Sequence, residues 1–242
     1  MSRFWPIKGA DKKMDPEQSA VAREFDQYNK NYKEAVNAAL PFSPMKADFF
    51  TRVKIAYYLD VLKRNGIKPD ASKILDMGCG VGMYHGILKE KVGGLTGIDV
   101  SSDCIKKAKS MNAGVTYESY DGGRMPFEDN SFDSIMTICV MHHVPLQGRR
   151  EFMDEMFRVL KPSGLGVMFE HNPINPLTMR VVNNCPFDAD AVLLKSNVAE
   201  DLFEASGFGK PKSRFILSVP PPNRFMRSLD RLFSYLPFGA QY

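Results

Sequence analysis

Cysteine is scarce in this 242-residue chain, and the four present, Cys79, Cys104, Cys139 and Cys185, form no C-x-x-C pair. A disulfide framework is therefore not indicated, and reduced thiols in a cytoplasmic setting are the expectation. No metal site is expected either. No run of about 18 apolar residues occurs, which speaks against a membrane-spanning helix. The first residues, MSRFWPIKGADKK, lack the apolar core of a signal peptide. Charge of one sign is also missing: the formal net charge is only +4, and no basic stripe is interleaved with aromatics. That leaves nucleic acid without an electrostatic footprint. No internal repeat and no low-complexity segment is present.

What the chain does contain is an ordinary apolar content, enough for a sizeable core. Three regions are expected. Residues 1–69 form an N-terminal arm and accessory helices. Asp15-Pro16-Glu17 reads as a helix start, with Phe25, Tyr28 and Tyr32 on one face up to about Ala39. A second helix from about Ala47 carries Phe50, Val53, Ala56, Tyr57 and Val61. Residues 70–219 form the core, where strand and helix patterns alternate. Strands are expected at 73–77, 95–100, 115–119, 132–140, 165–170 and 212–219. Helices are expected at 82–91, 101–111, 146–160 and 198–206. Lys161-Pro162-Ser163-Gly164 is expected to be a turn between a helix and the fifth strand. This alternation predicts an α/β, Rossmann-like doubly wound, mostly parallel sheet.

Residues 171–197 interrupt the rhythm with prolines and asparagines, as a functional loop would. Residues 220–242 begin with Pro220-Pro221-Pro222. An amphipathic tail follows, with Phe225, Leu229, Leu232, Phe233 and Leu236 on one face and Arg224, Arg227 and Arg231 off it.

The chemistry concentrates at the predicted carboxyl ends of the strands, where open α/β sheets bind ligands. Lys73 to Gly82 reads KILDMGCGVG: an apolar strand ending at Asp76, then Gly78, Gly80 and Gly82 before a helix. Such a turn lets backbone approach a nucleotide-like ligand at a helix N-terminus. The second strand ends at Asp99, placed to accept ribose hydroxyls, and the third at Tyr120-Asp121. The fourth ends in Cys139-Val140-Met141-His142-His143 and the fifth in Glu170-His171-Asn172.

In this order, LDMGCGVG (75–82), GIDVS (97–101), YDGGRMPFEDNSFD (120–133), MHHV (141–144) and RVLKPSGLGVMF (158–169) resemble the class I S-adenosylmethionine-dependent methyltransferases, in their small-molecule branch. A dehydrogenase is less well matched, because the first turn is G-x-G-x-G and not G-x-G-x-x-G. The resemblance implies S-adenosyl-L-methionine as cofactor. Gly78, Cys79, Gly80 and Gly82 would pass its methionine end, and Asp76 would order that loop and the amino end. Asp99 would hold the ribose, Val100 would pack on adenine, and Asp121 would bind the adenine amino group. Cys139 would lie beside the sulfonium through its backbone, or simply be a small buried thiol. Tyr28 and Tyr32 could close over the cofactor, or pack an accessory helix on the sheet.

An oxygen nucleophile can require a base. His171, at the start of the irregular loop, is the first candidate. His142 and His143 are the others, of which only one should face the site because neighbours at a strand end point opposite ways. A histidine there also serves as cofactor wall. Glu170 could orient His171 or close the strand, and His85 reads as packing. Asn172, Asn175, Asn183, Asn184 and Asp188 could hydrogen-bond acceptor hydroxyls, and Arg180 could pair with an acid. Residues 171–194 and the terminal LPFGAQY look similar to bacterial methyltransferases associated with surface polysaccharides. That implies O-methylation of a small molecule or glycan. The alternatives are a lipidic, quinone-like acceptor, with the tail touching a membrane, and a non-catalytic cofactor-binding regulator. Such a tail more often packs on its own domain or on a second copy than on a membrane, so monomer and homodimer both remain open. One departure from the family stands out: no clear seventh strand follows the sixth, so it is expected to be missing or short.

Overall fold

The computed structural model describes residues 47–218 and 224–242, together with residues 22, 23, 34 and 37–39. Tyr28 and Tyr32, and most of the helix expected over 16–39, lie outside the described residues.

Helix α1 (Ala47–Arg64) precedes the alternating core. The core runs β1 (Lys73–Met77), α2 (His85–Leu88), β2 (Gly94–Asp99), α3 (Ser102–Met111), β3 (Thr116–Ser119), β4 (Phe132–Ile138), α4 (Arg149–Val159) and β5 (Leu160–Phe169). Helices α5 (Pro176–Asn184), α6 (Ser196–Ala205) and α7 (Arg224–Leu232) complete it. The five strands are all parallel, in the order β3-β2-β1-β4-β5. The chain winds outward from β1 to β3, then crosses back to place β4 on the other side of β1. The carboxyl ends of β1 and β4 thus flank the switch point, where the diverging connections leave a crevice.

The apolar strand positions fill both sides of the sheet. On one, Leu75, Met77 and Ile135 pack with Met153, Met156 and Val159 of α4 and Phe203 of α6. On the other, Ile74, Met136 and Phe169 pack with Val53, Ile55, Tyr58 and Leu62 of α1. The α1 contact is also polar: the Tyr58 hydroxyl donates to Ser134 Oγ at 2.8 Å inside the sheet. The N-terminal accessory helix therefore closes one face of the core.

Several elements depart from the sequence pattern. The glycine turn extends further than expected, so α2 starts at His85 and not at Gly82. Lys161–Gly164 does not stand outside the strand. β5 begins at Leu160, and the register passes from Phe132↔Leu160 to Ser134↔Leu165, so these residues form a bulge within it. Residues 171–197 are not one loop. Asn175 caps α5 by accepting from Leu177 N and Thr178 N, with Pro176 at the first helical position. The strand expected over 212–219 forms no ladder among its described residues beyond an antiparallel bridge from Ile216 to Gln241.

That bridge answers the question of the seventh strand. The final residues enter antiparallel beside the end of β5. Glu170 and Tyr242 exchange backbone hydrogen bonds of 2.9 and 3.0 Å, Asn172 N donates to Ala240 O, and Ile216 and Gln241 pair on the far side. A few residues thus cover an edge that would otherwise present unpaired backbone. The tail is held by Asn172, whose Nδ2 donates to Pro237 O and Gly239 O, by Asn175 Nδ2 on Phe238 O, and by Thr178 Oγ1 on Ala240 O.

Candidate active site

The turn after β1 is built for close approach. Gly78, Gly80 and Gly82 have φ of 80°, 51° and 64°, a region that side-chain-bearing residues avoid. A Cβ on Gly78 would lie 2.6 Å from both Val140 methyls, and one on Gly82 would lie 2.6 Å from the Tyr117 hydroxyl. Gly80 faces open space on that side. The Gly80 amide donates to Asp99 Oδ2 at 2.7 Å, while Ser101 N donates to Asp99 Oδ1 at 2.9 Å. The end of β2 therefore fixes the turn of β1. Burial raises the Asp99 carboxyl to about 6, against backbone hydrogen bonds from Ser101 and Gly80 that favour its anion; nearby Asp76 adds to the rise.

Asp76 is completely buried. Its Oδ2 accepts from the Tyr84 hydroxyl at 2.6 Å and lies 2.8 Å from His85 Nε2. Its Oδ1 has no hydrogen-bond partner. A buried carboxylate oxygen left open beside a glycine turn fits a ligand carrying an amino group. His85, expected to be packing, is instead a polar link. Its Nδ1 lies 2.6 Å from the Tyr117 hydroxyl, so strand β3, helix α2 and Asp76 share one chain of hydrogen bonds. The signal was present as a histidine three residues after Gly82, but its partners come from two other elements.

The Cys79 thiol packs in a cluster with Ile105, Ala108 and Tyr117 and lies 3.6 Å from Gly80 O in the turn. Burial pushes that thiol well up, helped by Asp99 and Asp76. Val100 is half-buried just beyond Asp99, and Asp121 is exposed at the rim, accepting from Gly123 N at 3.0 Å.

The β4 side differs more from expectation. Cys139 has a φ of 57°, rare for a residue with a side chain, where β4 breaks into the turn that follows. Lys54 Nζ lies 3.6 Å from its sulfur and Gln241 Nε2 3.4 Å. Burial pushes this thiol up, yet Lys54 and His171 more than offset it, and it falls to about 7. Gln241 also donates toward His171 Nδ1 at 3.4 Å, so the tail and α1 both reach this corner.

His142 and His143 do not point apart, because they lie on a tight helical turn (Met141–His143) and not in extended strand. Their rings stand 4.2 Å apart, and both Nε2 atoms approach Asp188 Oδ1, at 3.5 and 3.4 Å. Glu170 does not orient His171. Its Oε2 lies 2.5 Å from His142 Nδ1, and its Oε1 accepts from Val140 N and Met141 N. Buried between Glu170 and Asp188, His142 is raised to about 10: desolvation opposes its charge, but the carboxylates prevail. His143 is lowered, first by burial and then by the charge of His142, against the pull of Asp188. A histidine so raised is poorly placed to take a proton at neutral pH. Nor are Asn172 and Asn175 open to acceptor hydroxyls, since they hold the tail.

Comparison with known proteins agrees with this geometry. A family profile described as a methyltransferase domain matches residues 75–168. The chain is 33% identical over 138 residues to 24-methylenesterol C-methyltransferase 3 of Arabidopsis thaliana, covering 54% of this chain and 37% of that protein. It is 32% identical over 167 residues to demethylmenaquinone methyltransferase of Staphylococcus aureus, covering 66% of this chain and 63% of that one. The chain thus spans less than two thirds of either relative. Among solved structures, a SAM-dependent methyltransferase from Thermotoga maritima superposes with a TM-score of 0.58 over 82% of this chain and 86% of that one, at 18% identity, a likeness of fold. With glycine turn, Asp76 and Asp99 arranged at the switch point of a five-stranded parallel sheet, residues 75–168 form a methyltransferase domain of the S-adenosylmethionine-dependent kind.

Proposed function

We propose that this protein transfers a methyl group from S-adenosylmethionine to an extended apolar acceptor met at a membrane surface. The observation that carries the acceptor class is the stretch 225–238. Phe225, Leu232, Phe233, Tyr235, Leu236 and Phe238 are 40% to 75% exposed there, beside Ile174 and Leu177 at 54% and 62%. Asn175 ties these two segments together through Phe238 O. Helix α7 docks through a polar contact, Asp230 accepting from the Tyr57 hydroxyl at 2.5 Å and Arg231 pairing with Asp60, and leaves Phe225 and Leu232 outward. Apolar surface concentrated in this way is the mark of an interaction site. No described helix is long and apolar enough to cross a membrane, so contact would be peripheral. The sterol and demethylmenaquinone named in the two relatives are acceptors of this apolar kind. Of the asparagines that could bind a glycan hydroxyl, Asn172 and Asn175 are engaged with the tail, while Asn183 and Asn184 stay exposed.

When bound, the cofactor supplies an activated methyl on a sulfonium, a good leaving arrangement that leaves alignment and water exclusion to the protein. The glycine turn holds its backbone against the methionine end, with Asp76 Oδ1 accepting from the amino group. Asp99 accepts from the ribose, Val100 lines the adenine side, and Asp121 at the rim accepts from the adenine amino group. Cys139, at positive φ with its sulfur beside Lys54 and Gln241, presents backbone at the switch point. His171 is the base best placed to take a proton from the acceptor, because His142 is tied to Glu170.

The test joins binding and turnover. Anionic vesicles with and without a quinol are incubated with enzyme and radiolabelled cofactor. The expected result is co-sedimentation and methylated lipid, both reduced at least about tenfold in a Phe225→Ser/Tyr235→Ser/Phe238→Ser variant that still binds cofactor. Equal vesicle binding and turnover in that variant would sink the membrane reading. Labelling of sugar nucleotides but not of quinol would restore the glycan one.

A further inference from the structure

The cluster formed by His142, His143 and Asp188 takes no part in the methyl-transfer scheme above. We propose that it is a binding site for one divalent cation of the zinc class, held by His142 Nε2, His143 Nε2 and Asp188 Oδ1. The three atoms lie within 4.8 Å of one another. The two nitrogen–oxygen separations, 3.5 and 3.4 Å, are too long for good hydrogen bonds. They match the edge of a tetrahedron around a metal with bonds of about 2.1 Å, for which that edge is about 3.4 Å. Two imidazoles and one carboxylate suit zinc and its first-row neighbours better than magnesium or calcium, which prefer oxygen alone.

Three further features point the same way. His142 is 2% exposed, and its Nε2 has no hydrogen-bond partner. Its other nitrogen is held by Glu170 at 2.5 Å, the carboxylate–histidine arrangement that fixes ring orientation and turns the second nitrogen toward a metal. The ligands are also preorganised by backbone. Val192 N donates to His142 O at 2.9 Å, and Asp188 N donates to Cys185 O at 3.1 Å, so the segment carrying Asp188 is pinned against the turn carrying the histidines. Access exists, since the Asp188 and His143 side chains keep 10% and 14% exposure. Three protein ligands leave a fourth position for water or another oxygen donor. A bound cation would join the end of β4 to the segment after α5.

The full-length protein is stripped with a chelator, dialysed, and titrated with zinc sulfate by calorimetry. The expected result is one zinc per chain, with affinity at least about 100-fold weaker in Asp188→Asn and in His143→Gln. Circular dichroism verifies that both variants are folded. Zinc should raise the melting temperature of the wild type and leave that of Asp188→Asn unmoved. Because the Cys185 thiol hydrogen-bonds Asp188 and could compete as a ligand, Cys185→Ser must keep the site. Absence of saturable binding, or binding undiminished in both ligand variants, overturns the proposal. His142 is then an imidazolium bridging Glu170 and Asp188 in a purely internal ion pair.

Discussion

The two walls of the candidate site are built on different length scales. Around β1 and β2 most of the contacts are short in sequence: Asp76 meets Tyr84 and His85, eight and nine residues on, and Gly80 meets Asp99 nineteen on, while His85 reaches Tyr117 across 32. Around β4 and β5 the contacts are long. His142 meets Glu170 across 28 residues, Cys139 meets Lys54 across 85, and Gln241 reaches Cys139 across 102. The first wall is built mostly from parts that lie close in sequence. The second is assembled from α1, the strand ends and the tail.

This contrast can be broken most forcefully at the tail. Deleting residues 240–242 removes five backbone hydrogen bonds, to Glu170, Asn172 and Ile216, and uncovers the edge beyond β5. At about 1 kcal/mol each, the expected loss is roughly 5 kcal/mol of stability. Thermal unfolding should show it as a large drop in melting temperature. A deletion with wild-type melting would mean that the tail is not the missing strand.

The next largest effect belongs to the other wall. Gly78→Ala puts a Cβ 2.6 Å from Val140 at a φ of 80°. It should cost about 2 kcal/mol of stability and reduce cofactor affinity by more than about tenfold. Denaturant melts and calorimetry measure the two separately. Unchanged affinity would show that the turn does not set the cofactor position.

Legibility in the sequence follows the same division. The glycine turn, Asp76 and Asp99 could be read because each acts where a strand ends, and strand ends are visible as apolar runs meeting Gly and Asp. The helix start at Asn175-Pro176 was equally visible, yet the prolines and asparagines around it read as loop. The relation of His142 to His143 depends on whether the backbone is strand or helical turn, and the turn follows the positive φ of Cys139, which no local pattern marks. Nothing local to Asn172 or Asn175 announces that their amides hold the carbonyls of residues 237–239. Nor does the apolar stripe of α7 reveal that the helix docks through Asp230 instead. Side chains whose partners lie far along the chain are fixed by tertiary packing.

A smaller effect sharpens the β1–β2 wall. In the proposed site Asp99 accepts from the ribose hydroxyls as its anion, and burial raises its carboxyl to about 6. Above that pH the anion is already present and affinity should be flat. Below it the free protein holds a proton that binding must expel, so affinity should fall by up to tenfold per pH unit. Calorimetry between pH 5 and 8 measures this. A flat profile across the range would separate Asp99 from the ribose.

The most direct measurement of the central claim is calorimetric titration of S-adenosylmethionine into the wild type and into Asp99→Ala. One site per chain in the wild type, lost in a folded Asp99→Ala, is the predicted result. Wild-type affinity in the variant, or no binding to either protein, would contradict the assignment of this crevice to the cofactor.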